Sequence, residues 1–368
     1  MANVTTSIQI VAPSGALDLP TGTNASRVLS RVVNYLEGYA AGLKTDGTVQ
    51  VGDGGARATG TVTLSGAGGT AATGTVTLSG VGGTAATGTV TLAGDAGNVT
   101  IVVNGTSVGP VAFDTDDTVT AAACVVALNA NATVAALVTA SSVGDVITLT
   151  ADAKGVAGNA ITLTASRTAG TATASGATLS GGADGSVTVT IDGDAVVTDT
   201  TNLTDNAAAT AVAAALEADA TVGPLVVASA ATNVVTVTWA AKGVVGNVSL
   251  SSATDTGTAT ASGAALAGGA DNTVTVTVNG VAIATDTTNL TDTAGATAVA
   301  AAIEASSNAL VDGVVTATSA LGVVTLTAVE YGVGGNAITL AASGTGATAS
   351  GARLTGGSAA GFVTLVTR

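Results

Sequence analysis

The chain repeats itself at a long period, and that limits its possible folds more than any other feature. The segment KGVAGNAITLTAS (154–166) returns as KGVVGNVSLSS (242–252) and as YGVGGNAITLAAS (331–343), with an asparagine at Asn159, Asn247 and Asn336. A closing marker, GATLSGGAD (176–184), returns as GAALAGGAD (263–271) and GARLTGGS (351–358); its leucines are Leu179, Leu266 and Leu354. A third marker, DTTNLTD, occupies 199–205 and 286–292, 87 positions apart. A fixed period of this kind marks an array of supersecondary units that bury their apolar faces together.

Each unit reads in one order. SVTVTIDG (186–193), TVTVTVNG (273–280) and NVTIVVNG (98–105) are alternating strands closed by Asp-Gly or Asn-Gly, a pair suited to the positive φ angles of a tight hairpin. A second short strand follows, and then an alanine-rich helix over 117–130, 204–218 or 291–305. Thr204 or Asp205, and Thr291 or Asp292, stand where an N-cap belongs. Val212 and Leu216, like Val299 and Ile303, form a stripe at helical spacing. Two or three further strands complete the unit, joined by glycine-rich turns. The expected fold is mainly β with short helices: an α+β array of about three β-sandwich-like modules, each with one helix covering the dry face of its sheet.

A shorter period precedes the array. ATGTVTLSG (58–66) returns at 72–80 and, as ATGTVTLAG, at 86–94, in steps of 14 residues. These copies predict a separate stretch over 58–85 that extends a stalk or adds strands to one sheet. The modules are then expected at 86–184, 185–271 and 272–368. Residues 1–57 differ from all of this. Val28, Leu29, Val32, Val33, Leu36, Ala40 and Leu43 recur at helical spacing and predict a helix over 24–43, capped by Asn24 or Ser26. Arg27, Arg31, Tyr35 and Tyr39 on this segment are the candidate protein-interaction residues. Docking on another protein, self-association and packing on the first module all remain open for it.

Composition excludes much chemistry. The chain has no histidine and one cysteine, so Ser-His-Asp and Cys-His nucleophile systems and Cys/His zinc sites are ruled out. Cys124 lies in an apolar run and reads as a small buried hydrophobe. A net charge of −15 argues against a nucleic-acid partner. No apolar run is long enough for a membrane span. The opening MANVTTSIQIVAPSG lacks the basic and apolar regions of a secretory leader. The DTDD run (114–117) and Asp192 with Asp194 offer the hard oxygens calcium takes, but without EF-hand spacing, and read as solvated loop aspartates. GAGGTAATG (66–74) lacks the GK[ST] of a phosphate loop. The T-x-T triplets read as exposed strand faces rather than an ice-binding array, and Trp239 as a local core residue. No cofactor, metal or catalytic residue is expected, and the chain is not expected to be an enzyme.

The succession of a helix ending in ALEA or AIEA, a strand, KGxxGN and a closing GAxLxGG resembles a module of tailed-bacteriophage structural proteins. It is similar to segments of contractile-tail sheath proteins and of head-associated or tail-associated virion proteins. The residues carrying the likeness are Lys154, Gly158 and Asn159; Lys242, Gly246 and Asn247; and Gly332, Gly335 and Asn336, with the three GG markers. Unit three departs from it with Tyr331 in place of lysine. The likeness spans about residues 86–358, and the large assembly domain of a sheath protein is absent. It implies a virion structural protein assembled in the host cytoplasm. A capsid decoration (cement) protein or head fibre comes first, anchored through residues 1–57 to the major capsid protein or other virion proteins and forming a homo-oligomer. A tail component (tube, sheath-associated or fibre protein) and a host-surface adhesin stand as alternatives.

Overall fold

Alternation decides the strands. In the short repeat, Ala72, Gly74, Val76 and Leu78 are buried while Thr73 and Thr77 face solvent, the period-two pattern of a sheet with one dry face. The computed structural model describes residues 48–52, 55–359 and 362–366, the first and last of these stretches as backbone only. The described residues open with four strands: β1 (Thr48–Gly52), β2 (Arg57–Leu64), β3 (Ala71–Ser79) and β4 (Ala85–Ala93).

Module 1 follows with β5 (Asn98–Val103), β6 (Thr106–Ala112), a helix Asp117–Ala130 with a one-turn helix Ala132–Ala135 after it, β7 (Val138–Val143), β8 (Val146–Lys154), β9 (Leu163–Arg167) and β10 (Thr171–Ala174). Module 2 holds β11 (Ser186–Ile191), β12 (Asp194–Asp199), the helix Asp205–Ala218, β13 (Val226–Ala231), β14 (Val234–Lys242), β15 (Leu250–Thr254) and β16 (Thr258–Ala261). Module 3 repeats this with β17 (Thr273–Val278), β18 (Val281–Asp286), the helix Asp292–Glu304, β19 (Val315–Ala320), β20 (Val323–Tyr331), β21 (Leu340–Ser343) and β22 (Ala347–Ala349). The strand β23 (Phe362–Val366) comes last.

The four opening strands do not form a region of their own, which corrects the expectation for 58–85. They are dealt out in reverse order. β4 enters the four-stranded sheet β10-β4-β8-β7 of module 1, β3 enters β13-β14-β3-β16 of module 2, and β2 enters β19-β20-β2-β22 of module 3. Each module also has a three-stranded sheet: β6-β5-β9, β12-β11-β15 or β18-β17-β21. The physical reason lies in the hairpins. The long strands β8, β14 and β20 each leave one edge unpaired, and a strand of the ATGTVT type fits that edge. Three such edges take three such strands. The chain is therefore nested: β1 pairs with β23, β2 joins the last module, and β4 joins the first.

Three separate cores result. In module 2, Val187, Val189 and Ile191 of β11 share a core with Val76 and Leu78 of β3 and with Val235 and Val237 of β14. The two sheets thus cover each other, as in a sandwich. The helix packs on the dry face of the four-stranded sheet, as expected, and shares it with the second sheet: Ala208, Ala209, Val212, Ala213 and Leu216 bury themselves in the core that β3, β13 and β14 form with β11. Small residues suit that role, because they let the helix backbone approach closely. The Asp192-Gly193, Asn279-Gly280 and Asn104-Gly105 turns all have positive φ, as the hairpin signal predicts.

The chain divides into two compact units. One comprises residues up to Ala67 with those from Thr273 onward; the other is 68–272 and contains modules 1 and 2. The sequence-predicted helix over 24–43, with Arg27, Arg31, Tyr35 and Tyr39, lies outside the described residues.

Candidate functional site: the module knot and the junction it forms

The repeated markers converge on one point in each module. The Asn159 amide donates to Gly182 O and accepts from Gly182 N, both at 2.8 Å. Asn247 holds Gly269 in the same way at 3.0 Å, and Asn336 holds Gly357 at 2.9 Å. The KGxxGN asparagine therefore clamps the second glycine of the GG marker as one peptide group would clamp another. A Cβ on Gly182 would lie 2.4 Å from Gly155 O and 3.1 Å from the Ala86 methyl, so glycine is required there.

The short repeat meets the same knot. Its alanine is buried beneath the clamp, and its glycine lies under two leucines. A Cβ on Gly74 would come within 2.7 Å of both Leu250 and Leu266, and one on Gly88 within 3.1 Å of Leu163 and 3.3 Å of Leu179. The ATG triplet, the KGxxGN segment and the GAxLxGG segment are thus three sides of one contact.

The helix ends are tied by residues the sequence only partly identified. Thr204 and Thr291 are the N-caps, accepting from Ala207 N and Ala294 N. In module 1 the cap is Asp116, which accepts from Val119 N. Asp205 and Asp292 reach outward instead, accepting from Val81 N and from Gly66 N and Ala67 N of the loops that follow β3 and β2. At the other helix end, Glu217 accepts from Ala228 N and Glu304 from Ala317 N, while Asn129 makes both bonds to the Ala140 backbone. This ties the edge strand to the helix and explains the polar residue in ALNA, ALEA and AIEA.

Modules 1 and 2 meet at a junction built from the same markers. Gly155 N donates to Thr84 O, so the N–H and C=O of Lys154 face the opposite edge of β8. The Asn202 side chain takes both: Oδ1 accepts from Lys154 N at 2.6 Å, and Nδ2 donates to Lys154 O at 3.3 Å. Asn202 has φ 65°, a conformation asparagine tolerates better than most residues. Asp184 accepts from Val156 N, and the buried Thr200 hydroxyl donates to Val81 O at 2.7 Å. The junction is built from backbone-reading side chains rather than from an apolar patch.

Two of the aspartates weighed as calcium ligands have other work, while Asp192 and Asp194 are exposed on their hairpin turn. In the DTDD run, Asp116 caps the helix and Asp117 pairs with Arg167 at 2.6 Å. The Arg167 side chain is fully buried, donates also to Ala96 O and Gly94 O, and lies 5.3 Å from the Phe113 ring centre. No group of three His, Cys, Asp or Glu side chains gathers to hold a metal among the described residues. The Thr201 N–H, with its hydroxyl, holds the Asp199 carboxyl below the usual range; the Thr288 hydroxyl and N–H do so for Asp286, and the Val222 and Thr221 N–H groups for Asp219. Cys124 is buried in the module 1 core, as the sequence predicts, and burial raises its thiol to about 11 against a smaller opposing effect of Arg167. Trp239 is likewise a core residue, with Gly246 against its ring. No helix among the described residues is long and apolar enough to cross a membrane.

No protein-family model matches this chain, and no curated protein matches it.

Proposed function

We propose that the chain is a non-enzymatic structural protein of a tailed-bacteriophage virion, acting as a capsid decoration protein or head fibre. Residues 1–57 would hold it to the major capsid protein or another virion protein, and the acidic modules would stand away from that contact. The observation that supports this reading is the nesting of the chain. Both ends enter through the β1–β23 pair, module 3 is next to it in connectivity, and modules 2 and 1 follow through paired linkers. A contact made by the N-terminal region therefore carries all three modules on one two-stranded root. Repetition of weak contacts over a symmetric capsid would give such a protein its retention. Its net charge of −15 would keep decorated particles dispersed.

Cryo-electron microscopy of particles carrying the full chain or a chain lacking residues 1–47 tests this. Density over capsomers that disappears with the truncation supports anchored decoration. Density along the tail, or retention of the truncated chain, removes the capsid reading in favour of a tail component. Binding of isolated modules to host cells would point instead to an adhesin.

A further inference from the structure

Asn-Gly occurs twice in the chain, at Asn104-Gly105 and Asn279-Gly280, and each pair closes the first hairpin of its module. The two turns share one backbone. Asn104 and Asn279 have φ 48° and 49°, and the glycine after each has φ 81°. Each asparagine N–H donates across its sheet, Asn104 to Thr162 O at 2.9 Å and Asn279 to Thr339 O at 3.1 Å. A Cβ on either glycine would meet nothing within 4 Å, so the backbone beyond the asparagine is open in both.

The side chains differ. Asn279 is half-buried and tied at both ends of its amide: Nδ2 donates to Leu310 O at 3.0 Å, and Oδ1 accepts from Thr339 N at 3.1 Å. Leu310 belongs to the connection 305–314 that follows the helix of module 3. Module 1 has the shorter connection 131–137 there, wound into a one-turn helix capped by Asn131. Asn104 is exposed, and among the described residues its side-chain amide has no hydrogen-bond partner.

An asparagine amide that is free to swing lies within reach of the next backbone nitrogen, and a following glycine adds no side chain to hinder the approach. Attack of Gly105 N on Asn104 Cγ forms a C–N bond and a succinimide ring. The side-chain NH2 leaves with the Gly105 amide proton as ammonia. Water then opens the imide at one of its two carbonyls, giving an aspartyl or an isoaspartyl residue; water is the only other reactant.

We infer that Asn104-Gly105 is a self-modifying site that loses ammonia in the folded chain, and that Asn279-Gly280 is held back by its two side-chain bonds. The two products differ in consequence. Asp192-Gly193 closes the same hairpin in module 2, with φ 53° and 91°, so an aspartyl residue fits the turn. An isoaspartyl residue adds a methylene to the backbone, and a two-residue turn so lengthened no longer returns β6 in register with β5. The modification therefore loosens the edge hairpin of module 1. The inference does not depend on the virion reading, because it needs no partner but water.

Incubation of the folded full chain in heavy-oxygen water at mildly alkaline pH, followed by peptide mapping in a mass spectrometer, tests it. The peptide holding Asn104 is expected to lose ammonia and take up heavy oxygen at least about tenfold faster than the one holding Asn279, the ratio that two ordinary hydrogen bonds support. In denaturant the two peptides should convert at similar rates, because neither side chain is then held. Asn104→Gln moves the amide one carbon further from the backbone nitrogen and should stop conversion at this position alone. Equal rates in the folded chain overturn the proposal, as does faster conversion at Asn279. A preference for Asn104 that persists unchanged in denaturant also overturns it, since it would then come from neighbours in sequence rather than from the fold.

Discussion

Module 1 and modules 2 and 3 share one topology but close their sandwiches differently. After β2 and β3 the chain must cross to the next module, and the crossing loops are anchored: Ala67 and Val81 are buried in the cores, with backbone N–H groups on Asp292 and Asp205. After β4 the chain turns straight back into β5. Asp95, at the place of Ala67 and Val81, is exposed, and the buried Arg167 side chain, paired with the half-buried Asp117, ties the loop instead. The difference teaches where ionic closure is used in this molecule. A crossing loop is itself core material and needs only its backbone capped. The innermost loop contributes nothing to the core, so a long side chain reaches out and gathers it.

Breaking the ionic closure should give the largest effect. Asp117→Ala leaves Arg167 charged and buried, a change that costs about 3 kcal/mol or more. Asp205→Ala removes one accepted backbone bond and should cost only about 1 kcal/mol. Denaturation followed by Cys124 labelling for module 1 and Trp239 fluorescence for module 2 separates the two. Equal losses would show that the closures are energetically alike.

The knot offers a second comparison. Gly74→Ala forces a methyl against two leucines at 2.7 Å, whereas Gly88→Ala meets them at 3.1 and 3.3 Å. Overpacking of this kind costs roughly 1–3 kcal/mol, and module 2 should suffer more than module 1. The same two probes would read the order, and a reversed order would mean that the leucines move aside.

A smaller effect has the opposite sign. The Thr198 and Thr285 hydroxyls are buried without a hydrogen-bond partner, while module 1 has Val111 at that place in its hairpin. Thr198→Val and Thr285→Val should each stabilise their module by about 1 kcal/mol. An unchanged melting temperature for both variants would show that the hydroxyls find water.

The modules should also part company with pH. Asp199, Asp219 and Asp286 have lowered folded values, so their contribution is full above the unfolded carboxylate range and is lost as pH falls through the folded values. Acid thus weakens modules 2 and 3 through these groups. Cys124 has a raised value of about 11, so its contribution is full below the unfolded thiol value near 9 and is lost as pH rises toward 11. Alkali should therefore loosen module 1, seen as a lower denaturation midpoint of module 1 as pH rises from 9 toward 11 while that of module 2 is unchanged.

Much of the local structure could be read in advance. The hairpins ending in Asp-Gly or Asn-Gly, the alanine-rich helices with Thr204 and Thr291 at their start, and the burial of Cys124 and Trp239 all follow from short-range preferences. The knot was visible only as three markers, since nothing in the spacing of Asn159 and Gly182 says that one amide closes on the other. Asp116, Asp117 and Arg167 were harder still. Their pairing spans 50 residues, and an acidic run reads as solvated until a buried guanidinium is found beside it.

The sequence by itself determined what each segment could become, because alternation, turn residues and capping act over a few neighbours. It also determined that the units would be alike. Only the tertiary structure decided which short repeat belongs to which module. Three near-identical strands carry no local label, and their assignment rests on which unpaired edge the chain can reach as it returns.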